Sequence, residues 1–164
     1  MIFDYFFNPY YNTGTKNHII NNNIMEILVF FTGAAGYSLI EYLFRGYTHW
    51  TMTLTGGACL LTFYCYLKVR RDASMLAKAA AGALIITVFE FFVGIVVNMW
   101  YGWDVWDYSG KMLNILGQVC PEYSLAWFLI CFTVLAVSEG MNSTFHALQR
   151  GIHVRFNKNT KLYK

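Results

Sequence analysis

The sequence predicts an all-α membrane protein with about four transmembrane helices, and three observations carry that prediction. The 164 residues are 57% hydrophobic and 19% aromatic but 13% charged, whereas a soluble domain is about 25% charged and 45 to 50% apolar. Four apolar stretches approach the roughly 20 residues that a spanning helix needs. The basic residues gather where cytoplasmic connections of such a bundle would lie.

Taken in order, residues 1–23 read as an interfacial N-terminal segment. Met1 to Tyr11 carries Asp4 and six Phe or Tyr residues, without the basic n-region or cleavage-like stretch of a signal peptide. The first span is expected from Ile24 to Phe44. The second, Trp50 to Leu67, is short, but Trp50, Tyr64 and Tyr66 are the amphipathic aromatics expected at the two interfaces. The third runs from Leu76 to Asn98 and the fourth from Tyr123 to Ser138, with short connections that make successive helices antiparallel. Met112 to Cys120 is too short to span and reads as a re-entrant or interfacial turn on the outer side. In the basic tail, 141–164, Met141, Phe145, Leu148 and Ile152 recur at helical spacing beside Arg150 and Arg155, the pattern of an amphipathic surface helix. No linker rich in Pro, Ser or Gly divides the chain, so 1–164 reads as one polytopic domain with its bundle at 24–140.

Orientation follows from Lys and Arg. Lys68, Arg70, Arg71 and Lys78 lie at the connection of the second and third spans, and Arg150, Arg155, Lys158, Lys161 and Lys164 follow the fourth. Both sets belong in the cytoplasm by the positive-inside rule, which predicts N-in and C-in topology. Arg45 and Lys111 fall on the opposite side.

Several classes lose support. The net charge of +3 is explained by topology, so no nucleic-acid partner is expected. Cys59, Cys65, Cys120 and Cys131 have no C-x-x-C spacing and suggest packing thiols. His18, His49, His146 and His153 are scattered, so no metal or cofactor is expected. There is no G-x-x-x-x-G-K-[ST], H-E-x-x-H or G-x-S-x-G motif, so the chain is more readily a non-enzyme.

The informative residues are Glu41 and Glu90, carboxylates inside apolar runs. Each costs roughly 2.5 to 3.5 kcal/mol to insert near mid-membrane, so it persists where it is paired, wet or functional. At 1.5 Å per residue Glu41 lies roughly 21 Å along its helix from Ile27, and Glu90 about 18 Å from Lys78. Both therefore fall in the outer half, near Trp106, Asp107, Tyr108, Asn114 and Gln118. Arg45, four residues after Glu41, is placed for a local ion pair. Glu90 has no basic residue within four positions, which leaves it protonated, paired to another helix, or solvated by a cavity. Trp103, Trp106 and Tyr108 are equally explained as interfacial anchors.

Four pieces of the chain resemble a family of small bacterial multipass proteins, the putative ABC transporter type IV or CmpB-like family. They are Gly36 to Glu41, Phe89-Glu90, Trp106 to Ser109, and Leu113 to Cys120 followed by Ser124 to Trp127. The family pattern favours Asn-Gly-Arg where this chain has Leu116-Gly117-Gln118, so a fixed positive charge is missing there. The resemblance implies a membrane component of a transporter in the bacterial cytoplasmic membrane, working with a separate ATPase or an ion gradient. Residues and resemblance together predict a permease-like component that binds a small polar or cationic substrate, or protons, at an outward-facing site. Glu41, Glu90, Trp106, Asp107, Tyr108, Asn114 and Gln118 would form that site, in a protein that associates with itself or another subunit within the lipid bilayer. Two other readings stay open: a nonenzymatic interaction or pore-forming protein of effector or holin-like type, and a membrane-embedded enzyme acting on lipid with Glu90 or Asp107 as general base.

Overall fold

Four α-helices account for most of the fold: α1 (His18–Arg45), α2 (Trp50–Val69), α3 (Met75–Gly94) and α4 (Pro121–Thr160), with a π-helical turn, Ile95–Trp100, extending α3. The structure, a computed structural model, describes the backbone of residues 18–160 and the side chains of residues 23–140. Among these residues there is no strand, only an isolated bridge between Ile115 and Val119. The expected interfacial segment at 1–23 lies largely outside the described residues, as do the side chains of the expected amphipathic face at 141–152.

Local chemistry sets the helix ends. Gly46, at φ +77°, stops α1 in the left-handed conformation, and its N–H closes on the Tyr42 carbonyl at 2.9 Å. His49 caps α2 by accepting from the Thr51 N–H. Ser74 caps α3 by accepting from the Ala77 N–H at 3.3 Å.

Among the described residues, three helical segments are long and apolar enough to cross a membrane: Asn23–Arg45, Met75–Trp100 and Pro121–Gly140. The expected second span is also a helix, α2, but Thr51, Thr53, Thr55, Gly56, Gly57 and Thr62 make it less apolar. Several of its hydroxyls have partners within the bundle. Thr55 donates to the Thr51 carbonyl at 2.8 Å, and Ser38 and Thr53 share a hydroxyl hydrogen bond at 2.8 Å. The helix packs on α1 and on α3, consistent with its buried face of Thr51, Met52, Thr55, Gly56, Cys59 and Phe63.

Contacts between α1 and α2 pair rising numbers with falling ones, as antiparallel helices require: Gly33 with Gly56 and Leu60, Tyr37 with Gly56, and Ser38 with Thr53. Their crossing is tight because a Cβ at Gly56 would lie 2.2 Å from Tyr37 Cβ and 2.8 Å from the Gly33 carbonyl oxygen. Small residues allow that approach in lipid, where packing rather than hydrophobicity draws helices together. Gly82 lies against Cys131 and Thr87 bonds to Ser124, again rising numbers with falling ones, so α3 and α4 are antiparallel as well.

Residues 101–120 form no helix of their own. They turn through left-handed conformations at Gly102, Asp104, Leu113, Leu116 and Gly117 and pack back on the end of α3. Gly94 makes room, since a Cβ there would lie 2.4 Å from Gln118 Oε1 and 2.9 Å from Trp106 Cζ2. Tyr37, Met52, Ala83, Val97, Val105, Trp106 and Trp127 make the buried cluster beneath.

Two differences from the sequence expectation have physical causes. The third helix does not stop at Asn98 but widens into a π-turn, closed by Tyr101 N–H on the Val96 carbonyl at 3.0 Å. The fourth does not stop at Ser138, because Gly140 is followed by no proline or capping turn and the helical backbone continues to Thr160. The described residues fall into two compact units that divide in the sequence between Phe132 and Thr133. All that follows concerns the first.

Candidate functional site

A cavity of about 350 Å³ lies where the C-terminal parts of α1 and α3 and the N-terminal part of α4 meet the 101–120 loop. α1 contributes Tyr37, Ile40, Glu41, Phe44 and Arg45, α3 contributes Glu90, and α4 contributes Tyr123, Ala126, Trp127 and Ile130. The loop adds Trp106, Asp107, Tyr108 and Lys111. Volumes from about 300 Å³ upward are those of small-molecule sites.

The two intramembrane carboxylates are held differently. Glu41 is 7% exposed, and both of its oxygens are taken. Arg45 Nη1 donates to Oε1 at 2.8 Å and Thr48 Oγ1 to Oε2 at 2.8 Å. Arg45 in turn donates to the Val105 carbonyl and to the Tyr47 hydroxyl at 3.1 Å, which ties the end of α1 to the loop.

Glu90 is 4% exposed and, among the described residues, forms no ion pair. The Tyr37 hydroxyl donates to its Oε1 at 2.6 Å and the Trp127 indole N–H donates to the same oxygen at 3.0 Å. Among the described residues nothing donates to Oε2, although a carboxylate has about four acceptor positions. The three residues come from α1, α3 and α4, and the Tyr37 and Trp127 rings stack at 5.2 Å. One oxygen is anchored and the other is left to the cavity.

Asp107 lines the cavity but spends its side chain on the loop. Its Oδ1 accepts from the Ser109 N–H at 2.8 Å and its Oδ2 from the Ser109 hydroxyl at 2.8 Å. These bonds hold its carboxyl below the usual aspartate range. Lys111 is paired with Glu122 at 3.0 Å, which raises its ammonium above the ordinary lysine value. Tyr108 stacks on Tyr123 at 4.4 Å, and burial pushes its phenol up.

Of the seven residues singled out from the sequence, Glu41, Glu90, Trp106, Asp107 and Tyr108 meet at this cavity. Asn114 and Gln118 lie outside its lining and build the loop instead. Asn114 donates to the carbonyls of Ser109 at 3.0 Å and Lys111 at 2.8 Å and accepts from the Gly117 N–H at 2.9 Å. Gln118 donates to the Leu116 carbonyl at 2.9 Å and accepts from Asn98 at 2.8 Å, while its backbone carbonyl takes the Trp106 indole N–H at 2.9 Å.

Sequence reasoning missed Tyr37 and Trp127 as the donors to Glu90, and Asn98 as the residue that fastens the loop to the π-turn. Asn98 donates to the Trp106 carbonyl at 2.9 Å and accepts from the Val105 N–H at 2.7 Å. A lone asparagine near the end of an apolar run was the available signal.

No solved structure matches the chain. The sequence profile of one family, described as Putative ABC-transporter type IV, matches residues 45–157. That stretch takes in Glu90, Trp106 to Lys111 and Trp127, and begins just after Glu41. Since it covers well over half of the sequence, the chain belongs to the Putative ABC-transporter type IV family.

Proposed function

We propose that this protein is a permease-like membrane component that binds a small cationic or polar substrate, or protons, at the outward end of its bundle. Glu90 is the binding carboxylate in this reading, and the observation that carries it is the pairing of a buried, cation-free Glu90 with a cavity onto which its Oε2 is left unbonded. Glu41 is the lesser contact, since Arg45 and Thr48 already occupy it. Trp106 and Tyr108 form wall, Asp107 stabilises the rim, and Asn114 and Gln118 act at a distance by holding the loop. Membership of a family described as ABC-transporter-like supports a transport role beside a separate ATPase or an ion gradient.

In this reading α2 is the fourth crossing, which puts both termini on the cytoplasmic side with the basic 68–78 connection and tail. The bundle encloses little volume by itself, which favours self-association or a partner subunit for a complete path. Uptake of radiolabelled ammonium, guanidinium and alkylammonium ions into cells expressing the wild-type chain or Glu90→Gln tests the role. The expected result is a substrate whose uptake falls at least ~10-fold in the variant, as loss of a charged contact implies. Equal uptake of every probe by both would remove the reading.

A further inference from the structure

The walls of the cavity, more than its floor, narrow the kind of cation it fits. Six aromatic residues line it: Tyr37, Phe44, Trp106, Tyr108, Tyr123 and Trp127. Alkylated ammonium groups are weakly hydrated and are held by aromatic faces within about 6 Å of a ring centroid. Lys111 Nζ already sits 5.6 Å from the Tyr123 centroid. A hard metal ion, by contrast, takes 6 to 8 oxygen ligands or a near-complete water shell, whereas the lining here offers one free carboxylate oxygen among rings. Of the other charged groups facing the cavity, Glu41 is paired with Arg45 and Lys111 with Glu122, while Asp107 keeps its negative charge with both oxygens hydrogen-bonded to Ser109.

The mouth adds a second constraint. Ile40 and Phe44 of α1 and Ala126 and Ile130 of α4 also line the cavity, on segments long and apolar enough to cross the membrane. Phe44 is 83% exposed and Ala126 is exposed as well. Deep in the site Tyr37 and Trp127 stack across the two helices; farther out, the rim between them is apolar. Such a rim suits an aliphatic chain and gives no hydration to a bare ion.

We propose that the cavity takes the alkylated ammonium head of a tailed amphiphile, the head against Glu90 Oε2 and the rings, the tail passing between α1 and α4 into the bilayer. This rests on the reading of Glu90 as a binding carboxylate and adds the ligand class and its path.

The full chain in phosphatidylglycerol nanodiscs provides the test. Binding of tetramethylammonium and dodecyltrimethylammonium is measured for wild type, with Glu90→Gln discs giving the non-specific partition. Both probes should show binding that depends on Glu90, the dodecyl compound at least ~10-fold tighter. Ala126→Trp, at an exposed rim position, should reduce that advantage below ~3-fold by obstructing the tail. A dodecyltrimethylammonium probe with a diazirine at the tail end, used on the wild-type chain, should label α1 near Phe44 and α4 near Ala126, independently of any variant's folding. Loss of probe binding on adding phosphatidylcholine would identify a bilayer lipid as the source of the head group; unchanged binding would identify a single-chain amphiphile, and either supports the proposal. Equal, Glu90-dependent affinity for both probes, or label spread evenly over all four helices, overturns the tailed ligand while leaving the acidic site standing. No Glu90-dependent binding of either probe, or of ammonium and guanidinium, overturns both.

Discussion

Glu90 and Glu41 look alike in sequence, each a single carboxylate in an apolar run, yet their surroundings separate them. Arg45 one turn on made the Glu41 ion pair legible, because an i,i+4 pair is a property of one helix. The donors to Glu90 were not legible in that way: Tyr37 and Trp127 lie 53 and 37 residues distant, and only tertiary packing brings them together. Tyr37→Phe keeps the ring stack on Trp127 but removes one donor to Oε1. It should lower thermal stability in detergent by about 0.6 to 2 kcal/mol, the range for hydrogen bonds inside membrane proteins, and weaken cation binding several-fold by loosening the carboxylate. Asp107 carries a pH prediction. Its folded value is depressed by Ser109, so its contribution to loop order is fully present above the ordinary aspartate value of about 3.9 and is lost as pH falls through the depressed one. Hydrogen exchange at the Ser109 amide should therefore stay protected at neutral pH and rise at the acid end in wild type. In Asp107→Asn it should be raised at both.

At the scale of elements, hydrophobic run length located all four helices, because burial and spanning length leave a one-dimensional record. Its limits appear at the ends. The π-turn at Ile95–Trp100 carries Asn98, which accepts from the Val105 N–H and donates to the Trp106 carbonyl, contacts that hydrophobic run length does not record. The 101–120 loop was recognisable as something other than a span, but the division of labour within it was not. Asn114 and Gln118 are polar like ligands, and their geometry spends them on backbone groups. Which small residues of α1 and α2 touch is likewise set by tertiary packing. Gly56→Ala puts a Cβ 2.2 Å from Tyr37 Cβ and should cost about 1 to 3 kcal/mol through overpacking. It should also displace Tyr37 from Glu90 and so weaken cation binding. Gly36 has nothing within 4 Å of its added Cβ, so Gly36→Ala should be neutral or stabilise by up to about 1 kcal/mol. Thermal unfolding of the two variants side by side separates a contact glycine from a merely helical one.

For the molecule as a whole, a bundle with three segments long and apolar enough to cross a membrane and one more polar helix packed on two others brings Glu41, Glu90 and Asp107 to one cavity. Aromatic residues wall that cavity, and a glutamate with one unbonded oxygen lies at its base. The chain's family is described as Putative ABC-transporter type IV, and the proposed reading of the site is that what it handles is a cation. Equilibrium binding of labelled tetramethylammonium to the purified chain, compared between wild type and Glu90→Gln at matched folding, tests this most directly. The account predicts saturable binding that weakens at least ~10-fold in the variant. Binding that is saturable and equal in the two proteins would contradict it.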